Sequence, residues 1–466
     1  MELIQLIEQL AKKKVIPMPE QTVIWEQWYE GNVKDFHSYE EYNGIKKVAQ
    51  HRKTLNMGKK VSEDWANLLL NEKTQVTYGS DEQNKRLNDL YDKVEFWSKG
   101  NEGIEKSFGL GNGAFVETFD DEGNIYFQFV NARKMFPLSI DNGKITECAF
   151  ANIGSEDVVI QIHERGTLDT NGDGSQLFTP TKSGNYCIRT TVYKKQDDNN
   201  VGDLQEDSWF DTKEKMPWFQ HVKANISNNI DINSPLGISV FANSIDALQG
   251  VDLAYDGFCE EMRIGKSKIF INKKLVKFDE NGERYIFDVN QTGFYYLGEG
   301  AENKPVEVYA PTLRTEQYFA GINNALNLLS SKVGFGENHY RYDQSGISTA
   351  TQVISQNSEM FRTIKKHEIL LYDVIVNATK VLMYINNIFT DNEKFDLNAE
   401  IVPVFDDSII EDKESEKAND RLEVNQGLMS KVDYIIKWYG LTEVEARKKL
   451  EEIKADNSAT NWFSEE

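Results

Sequence analysis

GFGENHYRYDQSGISTATQVISQNSEMFRTIKKHEILLYDVIVNATKVLMYINNIF, residues 334–389, joins a polar, glycine-punctuated segment to a long helical pattern. From Val353 onward, Met360, Ile364, Leu371, Ile375, Ala378, Leu382, Ile385 and Phe389 share one face at helical spacing. Beyond Leu370 the apolar residues Val374, Val376, Val381 and Ile388 occupy the other faces. The start is polar and the end core-like. A helix of ~44 residues would span ~66 Å at 1.5 Å per residue. Such a strut, with a mobile loop at its foot, points to a subunit of a large assembly rather than to a compact enzyme.

The bulk numbers fit that reading. The chain has 466 residues, 39% of them hydrophobic, which suffices for several domains with a sizeable core. Its formal net charge is −23. A protein that grips DNA by its phosphates is normally basic, so this chain repels a polyanion on average. Cys148, Cys187 and Cys259 lie far apart in no motif, which suits packed thiols in a reducing compartment. The N-terminus, MELIQLIEQLAKKKV, lacks a cleavable apolar region, and no apolar run is long enough for a membrane span.

Upstream of the strut, the pattern predicts two helices around a small β insert. Asn233-Ser234-Pro235 reads as a helix start, with Ser234 capping and Pro235 at the first helical position. This helix is expected to run to Ile264, with Ile238, Phe241, Ile245, Leu248, Tyr255 and Met262 as its apolar stripe. Its other faces carry Asp246, Asp252, Asp256, Glu260 and Glu261 against Arg263 alone. Such a run is either a plain solvated face or, in a channel, a non-stick lining. Residues 268–310 turn to β in KIFIN, KLVKF, RYIFDV, FYYLG and VEVYA, with a turn at Asn281-Gly282. A second helix is expected from Pro311-Thr312 to Val333, with Ile322, Leu326, Leu329 and Val333 on one face.

Toward the N-terminus, Glu2–Lys14 reads as a short amphipathic helix ended by Pro17 and Pro19. The aromatic stretch 22–46, with Trp25, Trp28, Tyr29, Phe36, Tyr39 and Tyr42, fits either peripheral packing or an anchor on a neighbouring subunit. Residues 57–71 and 81–97 are amphipathic helices. From Phe108 the period becomes two, with strands at 114–119, 126–130, 135–140, 144–150, 158–163 and 186–193. Hairpin turns fall at Asp121-Glu122-Gly123-Asn124 and Asp141-Asn142-Gly143. Residues 196–207 read as an exposed acidic loop. FGLGNGAF (108–115) is not G-x-G-x-x-G and precedes a strand, so it is no phosphate loop. DTNGDG (169–174) resembles the start of a calcium loop through Asp169, Asn171, Asp173 and Gly174, but Pro180 stands where the bidentate Glu belongs. A polar turn is the simpler reading.

At the C-terminal end, 392–404 is a linker with a short strand, and 406–423 a charged helix. Ser430 caps a further helix that Gly440 ends, and Thr442-x-x-Glu445 is a capping box. Residues 411–466 hold nine Lys or Arg and fourteen Asp or Glu, an acidic helical module.

Taken together, MGKKVSEDWANLLLNEK (57–73), FGLGNGAFVETFDDEGNIYFQFVNARKMFPL (108–138), SPLGISVFANSIDALQGVDLAYDGFCEEM (234–262), SGISTATQVISQNSEMFRTIKKHE (345–368) and GLMSKVDYIIKWYGLTEVEARKKLEEI (427–453) resemble, in this order, the Gp6-like family of tailed-phage portal proteins. The resemblance implies an α+β portal fold, with an α/β wing, a two-helix stem, a small β-containing clip, a long wing helix and a helical crown. It places the N-terminal wing at 1–234, the stem helices at 235–265 and 312–333, and the clip at 266–311. The tunnel loop follows at 334–346, the long helix and its return at 347–404, and the crown at 405–466.

It further implies a homo-oligomeric ring, usually dodecameric, at one capsid vertex of the virion, assembled in the host cytoplasm. Double-stranded DNA would pass through it during packaging and ejection. Its partners would be the terminase large subunit, head-completion or adaptor proteins, and the major capsid and scaffolding proteins, with no membrane and no cofactor. The tunnel loop would comprise Gly334, Phe335, Gly336, Glu337, Asn338, His339, Tyr340, Arg341, Tyr342, Asp343, Gln344, Ser345 and Gly346. Channel-lining stem candidates are Asp246, Asp252, Asp256, Glu260 and Lys332.

A channel for DNA should avoid tight phosphate contacts, since each adds a salt-dependent hold. Arg341, His339 and Lys332 would touch phosphates only transiently, and Arg341 could equally pair with Asp343 or with a neighbouring subunit. Portals carry no catalytic motif, so no enzyme activity is expected. The six histidines are scattered without a metal-ligand pair, against a metal-dependent nuclease or phosphotransferase. An oligomeric scaffold or adaptor that never touches DNA is the alternative. His367, on the apolar face of the long helix, reads as a core histidine.

Overall fold

The computed structural model describes residues 2–120, 122–172, 176–196, 201–272, 294–297, 306–342, 350–390, 394–405 and 413–460. The chain opens with α1 (Leu3–Ala11), α2 (Thr22–Glu30), α3 (Lys34–His37), the hairpin β1 (Ser38–Tyr42) and β2 (Lys47–His51), α4 (Met57–Leu69), β3 (Gln75–Tyr78), α5 (Asp81–Val94) and α6 (Phe96–Leu110). Strands follow: β4 (Gly113–Phe119), β5 (Ile125–Asn131), β6 (Met135–Asp141), β7 (Lys144–Ile153), β8 (Asp157–Thr170), β9 (Gln176–Pro180), β10 (Asn185–Lys195), β11 (Val201–Asp211) and β12 (Phe219–Val222). Next come α7 (Ile245–Ile264), β13 (Lys268–Asn272), β14 (Phe294–Leu297), β15 (Val306–Tyr309), α8 (Thr315–Lys332), α9 (Ala350–Phe389) and β16 (Ile401–Val404). The chain closes with α10 (Lys413–Gln426), α11 (Lys431–Tyr439) and α12 (Glu443–Thr460).

The sheets are small. One runs in the order β11-β10-β8-β7-β6 with β9 on β8, another is β12-β4-β5, and β3 pairs with β16. The largest core joins α4, α5, α6, β4, β5, α8 and α9 around Trp25, Trp65, Phe127 and Phe241. α9 is its spine: Met360, Ile364, Leu371, Ile375, Ala378, Leu382 and Ile385 are all buried, on the face the periodicity predicted. The far end departs from expectation, because Ile388 and Phe389 are exposed. A second core lies under α1, whose Leu6, Ile7 and Ala11 cover β7 and β8. Lys13 anchors that cover, its Nζ lying 2.8 Å from Glu147 and 2.9 Å from Glu164.

Several expectations are corrected. α1 stops at Lys12, which adopts a left-handed conformation, before either proline. The helix expected over 81–97 breaks at Glu95 (φ +56°), and α6 begins as a separate helix at Phe96. Its glycines disguised it in sequence. They are there for packing: a Cβ at Gly103 would lie 2.4 Å from the Phe115 ring. The segment read as an acidic loop is largely β11, paired along β10. The hairpin β1–β2 carried no strand signal. Trp25 and Trp28 are core residues, which favours the packing reading of that aromatic stretch.

The two-residue turn at Asn142 (φ +47°) and Gly143 (φ +73°) has the left-handed pair expected there. Asp173 and Gly174 of the calcium-like stretch, the turn at Asn281-Gly282, and the strands expected at 274–278 and 284–289 lie outside the described residues. In the β insert, β13 pairs parallel with β14 and antiparallel with β15.

Candidate functional site: the α7–α8 pair and the loop behind it

The helix expected to start at Pro235 begins ten residues later, after a short turn of 3₁₀ helix at Ala242–Ser244. The cause is tertiary. Asn112, fully buried, accepts from Gly237 N–H at 2.7 Å and donates from Nδ2 to Gly237 O at 3.0 Å. His221 Nε2 also lies 3.0 Å from Asn112 Oδ1. This bracket holds 236–238 out of helical geometry. Ser234 Oγ accepts from Leu236 N–H, a local turn in place of a helix cap. The glycines of FGLGNGAF serve the same junction: Gly111 has φ +87°, and a Cβ there would lie 2.9 Å from Ser239 N.

α7 and α8 pack against each other through Phe258, Tyr318 and Phe319, with Phe258–Phe319 centroids 5.4 Å apart. Close approach needs Gly257, since a Cβ there would sit 3.0 Å from the Tyr318 ring. At the end nearest the β insert, Arg314 forks onto Glu261, Nη2–Oε2 2.7 Å and Nε–Oε1 3.1 Å, and this pairing holds the Glu261 carboxyl below its ordinary range. Leu253, Phe319 and Leu328 remain exposed on the pair.

The acidic face of α7 is mostly engaged within the subunit. Asp252, expected to line a channel, is 2% exposed. Its Oδ2 lies 3.0 Å from buried His37 Nε2, and its Oδ1 accepts from Leu55 N–H at 2.9 Å. Asp256 accepts from Lys53 N–H at 2.9 Å and faces Arg52 at 4.0 Å. These two carboxylates clamp residues 52–55 onto α7, and with them the stem of the β1–β2 hairpin. Glu260 pairs with Arg263 on its own helix. Asp246 and Lys332 are exposed. Of the candidate lining residues, Asp252 is thus removed from the surface, and Asp256 is committed to a backbone tether. The missed partner, His37, gave no signal: its ring meets α7 only through tertiary packing.

The loop after α8 divides in two. Gly334 (φ +92°) turns the chain, and Phe335 inserts between Trp65 and His339. The Trp65–Phe335 and Phe335–His339 centroids are each 4.4 Å apart, with interplanar angles of 15° and 11°. Ser330 Oγ donates to Gly336 O at 2.6 Å, and Trp65 Nε1 donates to Val333 O at 3.2 Å. Tyr340 OH donates to Asp64 at 2.9 Å. Desolvation in this stack holds His339 below its ordinary pKa, although Asp64 opposes it. The expected mobile foot is therefore a docked segment through Tyr340. Glu337, Arg341 and Tyr342 are exposed, and Asp343, Gln344, Ser345 and Gly346 lie outside the described residues.

His367 takes the core position expected of it. Its Nδ1 accepts from Asn225 N–H at 3.0 Å, its ring stands edge-on to Trp65 at 4.9 Å, and burial pulls its pKa down to about 3. Among the described residues, no group of three or more His, Cys, Asp or Glu side chains is placed to hold a metal, and no helix is long and apolar enough to cross a membrane.

Comparison with curated proteins finds no similar sequence. Among solved structures, the chain is similar to a component of the neck of a native GTA particle computed with C12 symmetry, at 10% identity over 93% of this chain and 97% of that one, TM-score 0.42. It is similar also to one from the neck of an empty GTA particle computed with C6 symmetry, at 11% identity over 94% of this chain and 98% of that one, TM-score 0.42. The sequence profile described as "Phage portal protein, SPP1 Gp6-like" matches residues 24–461, nearly the whole chain. The chain belongs to the SPP1 Gp6-like phage portal protein family.

Proposed function

We propose that this chain is the subunit of a homo-oligomeric ring at one capsid vertex, through which double-stranded DNA enters during packaging and leaves during ejection. The observation that carries the reading is the family match across 24–461, a range that includes α7, α8, the docked loop and α9. The ring works without catalysis. Residues 1–234 form the first part of its wing, α7 and α8 its stem, 266–311 its clip, 334–346 its tunnel loop, α9 and the return to 404 the rest of the wing, and 405–466 its crown. The stem helix starts at Ile245 in this assignment rather than at Pro235.

Exposed apolar side chains on the helix pair support burial of that pair against neighbouring copies. Of the candidate lining residues, Asp246 and Lys332 are exposed and Glu260 is partly exposed beside Arg263, and all three are assigned to the channel side. The clip docks the terminase large subunit and later the head-completion proteins, and the wing contacts the major capsid and scaffolding proteins. The high negative charge supports passage of DNA without lasting phosphate contacts.

Electron microscopy of the purified chain tests the ring. Closed rings with a central channel are expected, and a strictly monomeric protein under assembling conditions would sink the reading. Deleting Asp343–Gly346 leaves the docked stack in place and is expected to leave rings intact while impairing DNA filling of heads. Normal filling would remove the loop from the mechanism.

A further inference from the structure

α8 and residues 338–342 enclose a polar groove of about 680 Å³. Backbone N–H groups of the loop fix the orientation of two amides in it. Asn338 N–H donates to Asn327 Oδ1 at 2.6 Å, and Tyr342 N–H donates to Asn323 Oδ1 at 3.1 Å. With each oxygen committed to the loop, each Nδ2 is left as a donor, and neither has a protein partner among the described residues. Asn323 and Asn327 are one helical turn apart on the same face, ~6 Å between neighbours of that kind. Arg341 lines the same groove, is exposed, and forms no ion pair among the described residues. The carboxylate in the lining, Glu316, stands seven positions before Asn323 on α8, ~10 Å along the helix axis.

We propose that Asn323 and Asn327, through Nδ2, and Arg341, through its guanidinium, form a binding site for the phosphodiester backbone of nucleic acid passing the groove. The inference rests on the conduit function proposed above and names the part of the chain that touches its cargo. The chemistry is that of an oxyanion ladder: donors without a matching acceptor, one cation, and a carboxylate set back from them. Amide donors suit moving DNA. They orient a phosphate oxygen, exchange readily with water, and release no counterion, so they add direction without a salt-dependent hold. One arginine per subunit supplies the one cationic donor of the site.

The test uses assembled full-length rings and a fluorescently labelled short duplex DNA at low ionic strength. The double variant N323D/N327D keeps both Oδ acceptors for the loop N–H groups and replaces both donors. It is expected to keep the ring and the melting temperature while weakening duplex binding by about tenfold. Arg341→Gln is expected to lower the slope of log affinity against log salt by about 0.9 for each phosphate contact removed.

Wild-type rings that bind no duplex, or intact variant rings that bind it as tightly and with the same salt slope as wild type, would overturn the site. So would loss of ring assembly in N323D/N327D alone, which would assign the groove to a neighbouring copy. DNA filling of heads is scored in parallel. Filled heads with variant-insensitive duplex binding reject the groove and leave the conduit, whereas wild-type heads that never fill reject the conduit itself.

Discussion

His37 Nε2 lies 3.0 Å from Asp252 Oδ2, both side chains are buried, and the two residues are 215 positions apart in sequence. Val33 N–H donates to His37 Nδ1 at 2.8 Å, so the ring proton sits on Nε2 and points at the carboxylate. Asp252 also accepts from Leu55 N–H. One carboxylate on α7 therefore closes both ends of the 37–55 excursion that carries the hairpin. Asp252→Ala leaves two buried donors unpaired and is expected to cost about 3 kcal/mol. Equilibrium denaturation measures the loss, and limited proteolysis at the hairpin tip should speed up with it. Asp252→Asn keeps the acceptor for Leu55 and should lose less.

The ring stack predicts how the docked part of the loop is held. Phe335 is 2% exposed between Trp65 and His339. Phe335→Ala is expected to destabilise the chain by about 3 kcal/mol. Amide exchange should rise at residues 334–342 and stay slow in the buried half of α9. Equal exchange in both segments would show that the loop is not separately anchored.

Glu117 sets a pH dependence. It is fully buried on β4, no other side chain among the described residues meets its carboxyl oxygens, and burial raises its pKa well above 4.5 against a smaller opposing effect of its own backbone N–H. The unfolded chain releases this proton near 4.5, while the folded chain keeps it. The contribution to stability is thus full below the unfolded value and falls as pH rises above it, until the buried carboxyl itself ionises. Glu117→Gln should flatten that decline and raise the melting temperature at neutral pH. A decline unchanged in the variant would assign it to other groups.

Lys13 sits between two carboxylates of low exposure, Glu147 and Glu164. Pairing with Lys13 and a hydrogen bond from Ser139 hold Glu147 below its ordinary range against the opposing effect of burial, whereas burial dominates at Glu164 and raises it. Lys13→Met strands both charges and is expected to cost about 3 kcal/mol at neutral pH. The loss should shrink in mild acid, where Glu164 takes up its proton. Denaturation curves at two pH values check the difference, and detachment of α1 should accompany it.

Much of the local structure was legible in sequence. Ser430 caps α11, Gly440 ends it at φ +63°, and Thr442 and Glu445 form the reciprocal box, because such caps are satisfied within a few residues. The buried face of α9 follows from helical period alone, as does that of α8, where Ile322, Leu326, Leu329 and Val333 are all buried. The candidate site was less legible. Acidic residues on α7 looked alike in sequence, yet Asp252 and Asp256 are tethers while Asp246 faces solvent. Periodicity ranks positions by face, not by which distant backbone N–H will meet them.

The sequence by itself determined the buried faces of α8 and α9, the caps of α11 and α12, the turn at Asn142-Gly143, and the family that the order of its segments resembles. These depend on period, φ preference and hydrogen bonds that close within a turn. Only the tertiary structure decided where α7 begins, because Asn112 outcompetes a favourable Ser-Pro start by binding Gly237 on both sides. Only it decided that the first half of the Gly334 loop is docked, since Trp65 comes from 270 positions earlier. Contacts of that separation are set by packing of the whole core, and no local pattern encodes them.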